Sequence, residues 1–129
     1  MAKISQECQI FFYFAIYLVY LLKIKLAMED TILGTEKKFE LYLQPFGSVH
    51  ASQYDFTVKV YSNTTRNILL SKDECIMVDD DTFVVTVDTN QIGLGNIVFE
   101  VTAFVPDGDF EDGLRTEKAR YKTSVNVIA

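Results

Sequence analysis

The chain has 129 residues, of which 49% are hydrophobic and 23% are charged, so it fits one domain and bulk disorder is excluded. Its 12 basic and 18 acidic residues give a net charge of -6, which argues against nucleic acid as a main partner because phosphate binding needs a basic surface. Two cysteines cannot form a disulfide framework, and a single histidine removes most histidine-based catalysis and most zinc sites.

Residues 1–27 differ from the rest of the chain in charge and in hydrophobicity. Lys3, Lys23 and Lys25 against Glu7 give this segment a net charge of +2, whereas residues 28–129 hold 9 basic and 17 acidic residues. Thirteen uncharged apolar or aromatic residues follow one another between Ile10 and Leu22. We therefore divide the chain into an apolar amino-terminal segment, 1–27, and a domain, 28–129.

Three interpretations of this segment stay open. The first is a secretory signal or a membrane anchor. A signal peptide fits the length of the apolar run, but no clean small-residue cleavage site follows it, and a membrane helix of thirteen residues would span about 20 Å, which is short of a hydrocarbon core of ~30 Å. The second is an interaction helix, which a partner would have to cover. The third is an upstream extension outside the working protein, with Met28 as the natural start.

From Glu36 onward the apolar residues alternate with polar ones, which is the period of half-buried β-strands. The pattern predicts six or seven short strands between residues 36 and 128. Candidate core positions on three of them are Phe39, Leu41, Leu43; Phe56, Val58, Val60; and Ile97, Phe99, Val101, Ala103, Val105.

The strand from Asn96 to Val105 is the longest with this alternation, so we expect it at the centre of a sheet. On the last strand, from Thr116 to Val127, the expected core positions are Ala119, Tyr121, Thr123 or Ser124, Val125 and Val127. Few connections are long enough for parallel crossovers, so the pattern predicts an all-β, antiparallel, two-sheet β-sandwich of immunoglobulin-like architecture.

The loop from Pro106 to Gly113 is the most suggestive local feature, because four carboxylates occur within six residues. Asp107, Asp109, Glu111 and Asp112 are weak candidate ligands for a calcium ion, but the spacing lacks the ligand order of an EF-hand. We therefore predict no metal site and a solvated loop, in which Phe110 folds back over one end of the sandwich. Asp79, Asp80 and Asp81 are interpreted in the same way, as a charged turn.

The remaining reactive residues do not form a catalytic pattern in the sequence. His50 has no nearby cysteine or paired acid and is expected at the surface, and Cys75 is expected to be a small buried hydrophobe. Asn63-Thr64-Thr65 matches a glycosylation sequon, which matters only in a secreted eukaryotic protein. No nucleophile elbow, phosphate loop, dinucleotide fingerprint or HExxH motif occurs, so we predict a protein that is not an enzyme and uses no cofactor.

Four stretches together resemble known phage domains. They are Tyr54–Tyr61, Asp80–Thr89, Ile92–Gly95 and Val101–Thr116, and the region from Tyr54 to Thr116 that contains them is about half of the chain. The set is similar to small β-domains of phages and prophages of gut Bacteroidales and to amino-terminal β-domains of phage baseplate proteins. The resemblance implies a non-enzymatic virion component that packs against copies of itself or against other virion proteins.

The sequence thus leads to two hypotheses about function. The first is a structural or assembly β-sandwich of a phage or prophage virion, acting through protein–protein contacts and without nucleic acid. The alternative is a secreted or surface-anchored bacterial immunoglobulin-like binding module at the cell envelope, in which residues 1–27 would be the signal or the membrane anchor.

Overall fold

The computed structural model describes the backbone of residues 8–12 and all of residues 29–129. These residues form nine β-strands and two short 3-10 turns, Lys72–Glu74 and Thr89–Gln91. In chain order the strands are β1 Cys8–Phe12, β2 Glu29–Ile32, β3 Glu36–Leu43, β4 Asp55–Tyr61, β5 Asn67–Ser71, β6 Ile76–Met77, β7 Thr82–Asp88, β8 Gly95–Pro106 and β9 Leu114–Ile128.

The strands form two sheets that pack face to face, which confirms the predicted all-β sandwich. One sheet has the order β1-β3-β7-β6 and the other has the order β2-β9-β8-β4-β5. Every pairing among β3 to β9 is antiparallel. The long strand β8 lies at the centre of the five-stranded sheet, as its alternation predicts.

The core lies between the sheets and consists of the residues that alternation assigned to it. All eleven of the apolar positions predicted on β3, β4 and β8 are buried. Phe39 on β3 meets Phe99 on β8 edge to face, with ring centroids 4.8 Å apart. Phe56 on β4 meets Phe83 on β7 in the same way at 4.9 Å. Each pair joins the two sheets, so these aromatic rings hold the layers together.

The two amino-terminal strands depart from the antiparallel expectation. β2 pairs in parallel with β9, from Glu29 opposite Val125 to Ile32 opposite Ile128. β1 pairs in parallel with β3, from Cys8 opposite Phe39 to Phe12 opposite Leu43. Parallel neighbours need a long connection, and here the partners are far apart in the sequence, so no short turn forces them to be antiparallel.

Part of the apolar segment therefore belongs to the four-stranded sheet as an edge strand. Residues 13–28 lie outside the described residues, as do residues 1–7, and the three interpretations of the segment stay open. Among the residues that the structure describes, there is no helix long and apolar enough to cross a membrane.

A bulge between Asn96 and Val98 shifts the register of β8 against β9. Thr123, which faces the core there, donates its hydroxyl to the carbonyl of Ile97 at 2.7 Å. The sequence left Thr123 and Ser124 as alternatives for this position, and the structure places Thr123 inward. The bulge therefore leaves the Ile97 carbonyl without its ladder partner, and the threonine hydroxyl supplies one.

Candidate functional site: the acidic loop end

Three loops meet at one end of the sandwich: residues 44–54, 78–81 and 106–113. We call this region the acidic loop end. The first two loops are joined by backbone hydrogen bonds from Leu43 to Asp81 and from Ser52 to Asp80, each 2.8 Å long. The third loop follows β8, whose last residue Pro106 pairs with Leu114. Seven carboxylates project from the second and third loops, namely Asp79, Asp80, Asp81, Asp107, Asp109, Glu111 and Asp112.

Half of the six aspartates at this end fold their own loops. In three cases a carboxylate oxygen accepts the backbone N–H two residues further on: Asp79 from Asp81 at 2.9 Å, Asp107 from Asp109 at 3.0 Å, and Asp112 from Leu114 at 3.0 Å. These are the side-chain turns for which aspartate is favoured in loops. The hydrogen bond from the Asp81 amide holds the pKa of Asp79 below its usual range, and the bond from the Asp109 amide does the same for Asp107.

The four candidate metal ligands do not form one coordination sphere. Asp107 pairs with Arg115, Asp112 caps Leu114, and Asp109 and Glu111 are exposed. Within residues 29–129, no group of three or more histidine, cysteine or acidic side chains is arranged to hold a metal ion. The prediction that this loop binds no calcium is tested by measurement in solution.

Arg115 connects the third loop to the first. Its guanidinium donates to the Asp107 carboxylate and, from Nε, to Glu117 at 2.7 Å. The same group lies 5.5 Å from the ring centroid of Phe46, a cation–π distance. Phe46 in turn packs edge to face on buried Tyr54, with centroids 5.5 Å apart. The pKa of Arg115 is raised by these carboxylate partners, with the hydrogen bond to Glu117 as the largest cause.

His50 has a partner that the sequence did not indicate. Its Nδ1 lies 2.9 Å from Asp81 Oδ2, and the other oxygen of Asp81 accepts the backbone N–H of Ala51 at 3.1 Å. His50 and Asp81 are 31 positions apart, so only the approach of the two loops reveals the pair. Ser48 and Ser52 are the nearest hydroxyls in the sequence, and Ser52 donates to Asp80 at 3.1 Å. The histidine therefore ties two loops together.

The expectation for Phe110 is wrong. Its side chain is 47% exposed, and Leu114 at the base of the same loop is 41% exposed. The loop is closed by its own backbone, with Asp107 N–H bonded to the Gly113 carbonyl and Gly113 N–H to the Phe110 carbonyl, both at 2.9 Å. This tight closure holds Phe110 at the tip, so it does not cover the end of the sandwich.

Two other residues were singled out from the sequence. Cys75 is 8% exposed and lies just before β6, and burial raises the pKa of its thiol to about 11, with a smaller contribution from Glu74. This agrees with a small buried hydrophobe. Asn63 of the sequon is exposed at the opposite end of the molecule, where the β4–β5 loop lies over the β7–β8 loop.

The opposite end of the sandwich is also held together by contacts between loops. Ser62 and Thr64 both donate to the carbonyl of Ile92, and Arg66 donates to the carbonyl of Asn90 at 2.9 Å. Gly93 lies so close to Thr64 that an added Cβ would come within 2.6 Å of its methyl group. The polar residues 62–67 and the Gly-x-Gly at residues 93–95 each predicted a loop, but the sequence did not indicate that the two loops are in contact.

Comparisons with known proteins give no further assignment. No family model, no curated protein and no solved structure matched this chain.

Proposed function

We propose that this protein is a non-catalytic structural or assembly component of a phage or prophage virion, and that it acts through protein–protein contacts. The observation that carries the contact role is Phe110, an exposed aromatic side chain at the tip of a closed loop. Asp109, Glu111 and Asp112 surround it in the sequence. An aromatic anchor with a polar rim is the usual composition of an interface hot spot, and a loop already closed on itself loses little entropy on binding.

The β5–β6 side of the sandwich supports the same role. Leu69 on β5 and Ile76 on β6 are each 67% exposed, and Met77 is 56% exposed. Both strands are edges of their sheets, so their outer backbone groups are open to pairing. Apolar side chains beside an open edge are a feature of surfaces that another chain covers.

Support for the virion setting comes from the sequence resemblance. The stretches that resemble phage β-domains fall on β4, on β7 with its acidic turn, and on β8 with the following loop. Gly93 and Gly95 of the Gly-x-Gly element both have positive φ, of 84° and 113°. A sandwich of paired strands with such turns suits a virion component, because repeated copies pack through rigid, complementary surfaces.

The alternative is a secreted or surface-anchored immunoglobulin-like binding module, and one observation favours it. The order β9-β8-β4-β5 corresponds to the G-F-C-C′ sheet of variable-type domains, and β3-β7-β6 corresponds to B-E-D. In that correspondence, loops 44–54 and 106–113 take the positions of the B–C and F–G loops, which bind ligands in antibody variable domains.

One fractionation experiment separates the two proposals. The host strain is induced for particle release, and particles, envelope and medium are each examined by quantitative mass spectrometry for peptides of this chain. A virion component co-purifies with particles through a density gradient at a constant ratio to the major capsid protein. Recovery only in the envelope or the medium would contradict the virion proposal and support the binding module. Capsid or tail genes beside the coding sequence would agree with the first result.

A further inference from the structure

The outward face of the five-stranded sheet has a charge opposite to that of the chain as a whole. Lys59 on β4 and Lys118, Arg120 and Lys122 on β9 point away from the core and are exposed. Among the described residues, three acidic residues share this face, namely Glu100 on β8, Asp55 at the start of β4 and Asp30 on β2. We call this surface the basic sheet face. Four of the nine basic residues in 29–129 thus lie on one side of a molecule with a net charge of -6.

The register places these charges side by side. Glu100 lies opposite Lys59 on one neighbouring strand and opposite Arg120 on the other. Its carboxylate is 3.5 Å from Arg120 Nε, and the Arg120 side chain remains 69% exposed. Lys118 and Lys122 are paired across the strands with Thr102 and Val98, so no carboxylate lies opposite either lysine. The face therefore has an uncompensated positive charge.

The basic sheet face also offers apolar surface between its charges. Val98 and Phe104 on β8 and Tyr61 on β4 are partly exposed there. A shallow, open hollow of about 480 Å³ is lined by Glu100, Lys118, Ala119 and Arg120. A shallow hollow between basic side chains can accept a projecting side chain that is surrounded by carboxylates.

The chain itself carries such a projection at the loop that joins β8 to β9. Phe110 is exposed at its tip, and the neighbouring carboxylates of Asp109 and Glu111 have no ion pair among the described residues. This loop lies at the end of β8 and β9, whereas the basic sheet face is the outward surface of the sheet that contains these strands. One copy therefore cannot place its own loop on its own face, but the loop of a second copy can reach it.

We infer that the basic sheet face binds the 106–113 loop of a second copy of this chain. The contact is heterologous, because the loop of one copy meets the face of the other, and the pair keeps one free face and one free loop. Such contacts close into rings or continue into open assemblies. The inference rests on the proposed function, since it names the partner that a virion component would pack against. Two basic faces would repel each other, so a symmetric face-to-face dimer is disfavoured.

Charge reversal in the full chain tests this contact. The face variant is Lys118→Glu/Lys122→Glu, and the loop variant is Asp109→Lys/Glu111→Lys. Sedimentation velocity is measured over a wide concentration range at ~0.05 M and ~0.5 M NaCl, since salt screens the charges that the contact uses. Wild type should associate at low salt and dissociate at high salt. Each variant alone should weaken association by roughly tenfold or more, because like charges then face each other.

The decisive measurement is the equal mixture of the two variants. The lysine loop of one variant meets the glutamate face of the other, and the unchanged loop and face also match, so the mixture should associate as wild type does. Lys38→Glu, on the outer face of the four-stranded sheet, and Asp73→Lys, in the 3-10 turn, are exposed control substitutions that should leave association unchanged.

Four results would overturn the inference. They are a chain that stays monomeric throughout, an association that ignores salt and both variants, variants that are not rescued by mixing, and controls that weaken association as much as the variants. Retention of the wild type on an anionic resin without self-association would assign the face to another anionic partner instead. The fractionation of particles tests the virion proposal independently. If the chain is found in particles but mixing the two variants does not restore association, only this inference is contradicted.

Discussion

Phe99 and Phe104 lie on the same strand and face opposite sides of the sheet. Phe99 is fully buried against Phe39, whereas Phe104 is partly exposed on the basic sheet face. At the scale of the residue, burial follows directly from the period of two, which is why the core positions of β3, β4 and β8 were predictable from the sequence. The partners of polar residues were not predictable, as His50 and Asp81 show, because they depend on which loops meet.

Phe99→Ala should lower the free energy of unfolding by about 3–5 kcal/mol, because the cavity would lie in a fully packed site between the two sheets. Phe104→Ala on the outer face is the matched control and should cost about 1 kcal/mol or less. Urea unfolding followed by circular dichroism measures both. Equal losses for the two variants would mean that the register of β8 is wrong.

Asp107 should contribute a pH-dependent part of the stability. Its pKa is lowered in the fold, first by the Asp109 amide and then by Arg115, so the contribution is complete above the ordinary Asp pKa of ~3.9 and is lost as the pH falls through the lowered value. Asp107→Asn should lower the midpoint of thermal unfolding at pH ~7, and the difference from wild type should vanish near pH ~2. Asp109→Asn is the control and should change the midpoint little at either pH. A difference for Asp107→Asn that persists at the acidic end would point to lost packing and not to lost charge.

The elements differ in how far their sequences determine them. Alternation predicted β3, β4 and β8 because each has one face in the core and one in solvent. The amino-terminal edge strands were harder: β2 is four residues with only Thr31 buried, and β1 continues from Cys8 into a run of apolar residues that has no period of two. The β8–β9 bulge has no sequence signal either, because it is defined by the partner strand.

Thr123 should stabilise the fold at the bulge between β8 and β9. Thr123→Val removes the hydroxyl that bonds the buried Ile97 carbonyl while keeping the side-chain shape, and it should cost about 1–3 kcal/mol. Thr123→Ser keeps the hydroxyl and should cost less than the valine variant. Chemical denaturation of both variants gives the comparison, and a valine variant as stable as wild type would show that the carbonyl finds another partner.

The loop from Pro106 to Gly113 should not depend on calcium. Asp107 and Asp112 already accept backbone amides, and Asp107 also pairs with Arg115, so an ion would have to compete with these bonds. Thermal melts with added calcium and with excess chelator should give the same midpoint. A rise of several degrees with calcium would contradict this, because an ion that binds the folded state stabilises it by mass action.

At the scale of the whole molecule, a rigid frame and its contact surfaces are separate parts. The frame is the pair of sheets joined by the Phe39–Phe99 and Phe56–Phe83 contacts. The surfaces are the acidic loop end and the basic sheet face. The acidic loops were evident in the sequence, but their meeting at one end and the basic sheet face were not. Phe110 looked like a cover for the core, and the lysines of β4 and β9 are brought to one side only by pairing through β8.

Residues 29–129 should form a self-contained scaffold for these contacts. The buried apolar cluster described in the structure lies between Phe39 and Val127, so removing residues 1–27 takes away β1 and no residue of that cluster. A chain that begins at Met28 should therefore remain a cooperative β domain, even though the outer edge of β3 is then open. The direct measurement is a thermal melt of this shortened chain followed by circular dichroism. We predict a β-type spectrum and a single cooperative transition, whereas an insoluble or unfolded product would show that residues 1–27 complete the core.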